Sequence, residues 1–311
     1  MTAGQAVVPL RRRSRTVWLL HLTARDWEIA VGLVDDYQLA ACAPSVDDSP
    51  RIWTHPWSED GLRFKVLGPL EVFRGEHECT PSAPKLLQVL ALLVLHANRI
   101  VHIETLVRLL WGDRPPRSAV ATIQTYIYQL RRFLTREQVD SGDGDLLVTK
   151  NPGYLLRVHP DQVDLQQFQR LSRQGQVFLR GRRLDEAASR LRAALGLWSG
   201  SPLANVPMGA RLDPYVTDLQ EQRRNALQLR IEAEIELGLH RELIGELRSL
   251  VVLHPLDEWM YGQLIRVLAR SGRRSDALHA YHHLRTTLAA ELGLDPSPEL
   301  QQLYQQLLGT D

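Results

Sequence analysis

"TIQTYIYQLRRFL", residues 122–134, decides how the chain is read. With Val120 just before it, the apolar series Val120, Ile123, Ile127, Leu130 and Leu134 steps by three and four, the period of a helix with one buried stripe. About half a turn away stand Ala121, Gln124, Thr125, Tyr128, Arg131 and Arg132. From Arg114 to Arg136 there are five arginines and no Asp or Glu. Two readings of that second face stay open on this pattern alone. It suits a nucleic-acid groove, because Arg forks onto phosphates or guanine edges and Gln, Thr and Tyr bond base edges. It also suits a solvated face whose terminal cations complement the helix dipole.

The flanking sequence favours the groove. "LRFKVLGPLEVF" alternates around Phe64 and Val66, breaks at Gly68–Pro69 and resumes at Leu70 and Val72, which predicts two strands and a turn. "SAPKLLQVLALLVLHAN" predicts a helix with Ser82 as N-cap and Pro84 in the first turn, apolar almost all round and therefore central. "IETLVRLLWG" predicts a short helix ending at Gly112, and Pro115–Pro116 force a loop. Ser118 then caps the third helix, to about Thr135. After a polar stretch with Gly142 and Gly144, "LLVTKNPGYLLRV" predicts a hairpin with Pro152 first and Gly153 second in its turn. Strands, helix, short helix, loop, exposed helix, hairpin is the order of a winged helix-turn-helix, whose third helix enters the major groove. Residues 62–159 hold 13 Lys/Arg against 9 Asp/Glu, with the excess in the loop, third helix and wing.

Residues 161–311 read as all helix. Gly181-Arg-Arg-Leu-Asp-Glu-Ala187, Gly238-Leu-His-Arg-Glu-Leu-Ile244 and Gly272-Arg-Arg-Ser-Asp-Ala-Leu278 share a pattern, the last two glycines standing 34 residues apart, the tetratricopeptide period. Each Gly is expected to end a helix in the left-handed conformation. Pro202, Pro207 and Pro214 mark an irregular insertion in the longer first interval. The expected architecture is mainly α with a small α+β domain: a winged helix-turn-helix at 62–160, then an all-α tetratricopeptide-like domain at 161–311. Residues 1–61, with four of the seven tryptophans, read as a variable N-terminal extension or, alternatively, a partner-docking arm.

Composition narrows the function. The net charge is +1 across 311 residues, so nucleic-acid binding must come from local charge. Cys42 and Cys79 alone give neither a disulfide framework nor a thiolate zinc site, and fit a reducing cytoplasm. No apolar run reaches the length of a membrane span. No paired carboxylates, Ser-His-Asp set or Cys-His set occurs in a telling context, so neither enzyme chemistry nor a cofactor is expected. His279, His282 and His283, near Asp276, could hold a metal; beside the buried series Ala277, Tyr281, Leu284 and Leu288 they read as a wet surface, and no metal site is assigned. Trp198, Trp259 and Tyr261 read as repeat packing.

The winged-helix stretches "RFKVLGPLEV", "LALLVLHANRIV", "LVRLLWGDRPP", "IQTYIYQLRRFL" and "VTKNPGYLL" resemble the OmpR-type DNA-binding domain of the Streptomyces antibiotic regulatory protein family. "VDLQQFQRL", "AALGLWSGSPL" and the run Leu253–Leu300 resemble its bacterial transcriptional activation domain, so the resemblance covers about 62–308. It implies a cytoplasmic, nucleoid-associated activator of a secondary-metabolite gene cluster. Such an activator binds tandem direct repeats near a promoter's −35 element as side-by-side protomers and recruits RNA polymerase through contacts that include sigma factor. By position, Gln124, Thr125, Tyr128, Arg131 and Arg132 would face the major groove, and Lys150, Asn151 and Tyr154 would serve the wing, Tyr154 bracing its base. The loop Gly112, Asp113, Arg114, Pro115, Pro116 would face polymerase, with Arg117 at its end counted among the DNA-facing residues. Many relatives carry a basic residue near Leu87; here Lys85 would supply that backbone contact. Residues 1–61 are too few for a phosphoacceptor receiver domain, and no GxxxxGK[ST] motif follows the helices, so neither module is expected. A competing reading is a helical-repeat interaction scaffold with the winged domain as docking module.

Overall fold

The computed structural model describes residues 61–137, 145–207 and 212–309, all within one compact unit, His55–Asp311. The expectations for the N-terminal extension and for the Gly142–Gly144 stretch lie outside the described residues. The rest is mainly helical, with two small sheets confined to the winged part, as the sequence predicts.

Strands β1 (Leu62–Lys65) and β2 (Glu71–Arg74) pair antiparallel with Phe64 opposite Val72, and a two-residue β3 (His77–Glu78) adds to β2. Helix α1 (Pro84–Leu95) follows. Every residue from Leu86 to Val94 is buried, Gln88 included, as a helix apolar all round must be. Its N-cap is Ala83, with no side-chain cap, rather than Ser82; Pro84 in the first turn removes one orphan donor at that end. Strand β4 (Ile100–His102), which periodicity did not signal, leads into α2 (Ile103–Trp111), which ends at Gly112 with φ +63°. Helix α3 (Ala119–Glu137) comes next, then β5 (Leu147–Lys150) and β6 (Gly153–Leu156).

The second sheet has the order β4-β6-β5, so the hairpin is held along the edge of β6 by β4. Lys150 pairs with Gly153, leaving Asn151 and Pro152 as a two-residue turn with a cis Asn151–Pro152 bond. Pro152 is therefore second in the turn, not first, and Gly153 belongs to the strand. Its need for glycine comes from β4: a Cβ there would lie 1.9 Å from the Val101 carbonyl oxygen.

Among the described residues seven α-helices follow: α4 (Asp164–Arg180), α5 (Leu184–Leu195), α6 (Asp213–Glu236), α7 (His240–Leu253), α8 (Glu258–Arg270), α9 (Arg274–Leu292) and α10 (Pro298–Leu308). Gly175 lets α4 approach α5, since a Cβ would meet Leu191 Cγ at 2.5 Å. Gly238 and Gly272 are left-handed as expected, but Gly181 is not; Arg182 takes that conformation at φ +58°. The closing bonds explain the slip. Arg183 N–H donates to Phe178, Leu239 to Glu234 and Arg273 to Leu268, so the left-handed residue before each donor is Arg182, Gly238 or Gly272.

One apolar core runs from β1 through the winged part into α4, α5 and the first half of α6, as far as Ala226. A second core starts at Ile231 and takes in α7 to α10. The expected boundary at 160 is thus not a gap in packing. Phe168 on α4 and Trp198 meet edge-to-face at 5.4 Å inside the first core. The Asp164 carboxylate, buried at the start of α4, accepts the N–H groups of Val66, Leu67 and Leu165. Burial raises its pKa from 3.8 to about 6, against the lowering pull of those three donors. The segment expected to be an irregular insertion packs on the same turn: Asn205 exchanges hydrogen bonds with the Leu70 backbone, and Leu203 N–H donates to the carbonyls of Val66 and Gly68.

Candidate nucleic-acid interface

Helix α3 is seated by Ile123, Ile127, Leu130 and Leu134, each at most 2% exposed. Val120 departs from the expected stripe: it is 48% exposed, and Ala119 is buried in its place. Three and four residues before Ile123 both lie about 50° from the centre of the stripe, so periodicity could not choose between them. Packing takes the smaller side chain inward at the crowded start of the helix.

The outward face holds Ala121, Gln124, Thr125, Tyr128 and Arg132, all exposed. Thr125 Oγ1 donates to the Ala121 carbonyl at 3.0 Å, so its hydroxyl is already engaged by the helix. The Arg132 guanidinium lies 6.0 Å from the Tyr128 ring centre, a stacked cation one turn along the helix. The acidic residue within α3, Glu137, is buried at the far end and paired with Arg136 at 2.7 Å. The face therefore presents donors, a ring and a cation with no carboxylate among them.

Of the expected site residues, Arg131 needs correction, and Tyr154 keeps its bracing place but offers no surface to a ligand. Arg131 is half-buried and turned to the wing: its Nε donates to the Leu147 carbonyl at 2.9 Å and Nη2 to Thr149 Oγ1 at 2.6 Å. It joins α3 to β5, which leaves only part of its guanidinium for an external ligand. Tyr154 is 7% exposed and sits in the first core, so its ring is out of a ligand's reach and its place is the base of the wing. Lys150 and Asn151 are exposed at the tip of the wing. Lys85 is exposed at the start of α1, where Nζ lies 3.5 Å from the Leu110 carbonyl at the end of α2. That places it beside the α2–α3 loop. In that loop Gly112 is half-buried, and Asp113, Arg114, Pro115, Pro116 and Arg117 are exposed.

Elsewhere the histidine helix finds partners of its own. His283 Nδ1 is 2.9 Å from the Tyr261 hydroxyl, and His282 Nε2 is 3.4 Å from that of Tyr304. Among the described residues no group of three or more His, Cys, Asp or Glu could hold a metal ion, and no helix is long and apolar enough to cross a membrane.

Comparison with known proteins fits this geometry. Residues 77–156 match the C-terminal domain of transcriptional regulatory proteins, and residues 163–308 match the bacterial transcriptional activator domain. The chain is 41% identical over 253 residues to the regulatory protein DnrI of Streptomyces peucetius, covering 80% of this chain and 93% of that one. It is 36% identical over 256 residues to AfsR of Streptomyces griseus, covering 82% of this chain but 25% of the longer relative. Among solved structures, EmbR of Mycobacterium tuberculosis in complex with a low-affinity phosphopeptide matches with a TM-score of 0.74 at 35% identity, covering 79% of this chain and 65% of that one. The carboxylate-free face, the wing behind it, the helical stack and these relatives converge: the chain belongs to the Streptomyces antibiotic regulatory protein family of transcriptional regulators.

Proposed function

We propose that this chain activates a secondary-metabolite gene cluster by binding tandem direct repeats near the −35 element of its promoters. On this reading, protomers lie side by side on the duplex with α3 in successive major grooves and the wing tips at the backbone. Lys150 and Asn151 reach phosphate or the minor groove, and Lys85 and Arg117 contact the backbone near the start of α3. The loop from Gly112 to Pro116 meets RNA polymerase, including its sigma factor.

The observation that carries the reading is the outward face of α3: Gln124, Tyr128 and Arg132 stand exposed with no acidic residue among them on the helix. A face of that kind lowers the electrostatic barrier to a polyanion and offers the groups that read base edges. The test is a gel-shift titration of Arg132→Ala on promoter DNA across a salt series. If Arg132 reads a base, binding should weaken by about 1–3 kcal/mol and become less selective; if it reads a phosphate, the salt slope should fall by about one unit. Unchanged affinity and slope would remove α3 from the groove. An Arg114→Ala chain that keeps full promoter affinity yet loses transcription with purified polymerase would assign the loop to the polymerase.

A further inference from the structure

The first two turns of α3 are more apolar than their sequence suggests. Val120 is 48% exposed, and Ala121 beside it is exposed too. Thr122 and Thr125 both spend their hydroxyls on the helix, donating to the carbonyls of Ser118 and Ala121 at 3.0 Å. With its proton engaged, the exposed Thr125 has no donor left for a phosphate oxygen and presents its γ-methyl beside an oxygen that can only accept. In residues 61–137 and 145–160 the large apolar side chains left exposed are Ile100, Val120 and Tyr128, and two of the three belong to α3, Tyr128 on its outward face and Val120 at its flank. Gln124 stands one turn after Val120 on the same flank and is exposed.

An apolar patch on a helix that enters the major groove has one natural complement there. Thymine alone among the four bases carries a methyl group on that edge, and Ala, Thr and other small apolar side chains pack against it. A glutamine beside such a contact suits adenine, whose N6 and N7 it can bond in a bidentate manner. We propose that the N-terminal half of α3 is a thymine-methyl reader, with Val120 and the Thr125 γ-methyl as the contacting groups and Gln124 reading an adjacent adenine. Sequence selectivity then divides along the helix, apolar and amide readout in its first two turns and charged contacts around Arg132. The proposal rests on α3 being the element that enters the groove.

The test uses a duplex selected by the full chain from a random library, then resynthesised with deoxyuridine replacing thymidine one position at a time. Deoxyuridine removes only the 5-methyl group. Wild type should lose about fourfold in affinity at each contacted thymine, the equivalent of one methyl returned to water. Val120→Ala should bind the thymidine duplex more weakly and become indifferent to deoxyuridine at one position. Thr125→Ser, which keeps the hydroxyl and removes the methyl, should do the same at another. Both side chains are exposed, so neither change opens the core. A chain that binds its selected duplex but treats uracil and thymine alike at every position overturns the methyl reading and leaves the groove assignment standing. Uracil effects that persist unchanged in both variants overturn it as well, since the methyl would then be read by other groups. A chain that selects no duplex overturns both the methyl reading and the groove assignment.

Discussion

Two junctions divide this molecule, and they are built differently. Where the winged part meets α4–α6, apolar packing is continuous and polar groups fasten the backbone directly: Asp164 holds the amides of Val66 and Leu67, Asn205 brackets Leu70, and Gln88 donates to the Pro207 carbonyl at 2.6 Å. Four residues further along α6 than Ala226, the first core gives way to an ion cluster, and beyond it α5 and α6 share only a small apolar contact of Ala187, Ala188 and Ala233. Buried Arg230 bonds Glu234 at 2.9 Å and Glu246 of α7 at 2.5 Å, while Arg192 of α5 reaches Glu234 at 2.7 Å. The first junction is a weld that fixes one part on the other. The second fixes register through charges, and such a cluster is sensitive to the loss of a single member.

The comparison can be broken in order of expected effect. Phe168→Ala should cost about 3–5 kcal/mol, because it empties the middle of the first core and removes the edge-to-face ring against Trp198. In urea unfolding monitored from both ends of the molecule, the winged part and α4–α6 should lose stability together. If the winged part keeps its midpoint while α4–α6 melts early, the weld does not exist. Glu234→Ala should cost about 3 kcal/mol by leaving Arg230 buried without its bidentate partner. Limited proteolysis should then cut near the α6–α7 turn while promoter affinity holds; a parallel loss of DNA binding would show that the two junctions act as one.

Asp164→Asn sharpens the picture with pH. Its folded pKa of about 6 lies above the ordinary 3.8, so between those values the folded chain holds a proton that the unfolded chain has released. Stability from this group is therefore full below about pH 4 and is lost as pH rises through 6. The amide removes that slope and turns a donor towards backbone donors, costing about 1–3 kcal/mol, with the larger value at the acid end. Chemical denaturation of both chains at pH 4, 5, 6 and 7 checks it; a gap that widens towards pH 7 would contradict the assignment.

How far the sequence reveals this depends on how local each cause is. Burial of α1 and the stripe of α3 follow from residues within one helix, and they are legible. The winged order and the helical stack follow from periodicity and from the glycines. What could not be read depends on distant partners or on equal alternatives. Arg131 carries the same charge as Arg132, and only the arrival of β5 sixteen residues later takes it out of the open face. Asp164 looks like an ordinary first-turn acid until the turn after β1, with Leu67 97 residues earlier, closes over it. Strand β4 is three residues long and has no pattern to recognise. Gly181 opens the same kind of segment as its counterparts, yet the closing hydrogen bond sits one residue along and hands the left-handed position to Arg182.

The weld also bears on where along a promoter such a protein can work. With α3 seated in a groove, a winged part fused to α4–α6 leaves no swivel between reading head and helical stack. Moving the binding site by half a helical turn, about five base pairs, would carry the stack to the opposite side of the duplex, and a whole turn would bring it back. Spacing tolerance should therefore come in steps of the DNA repeat, set by a carboxylate and a phenyl ring that never touch the DNA.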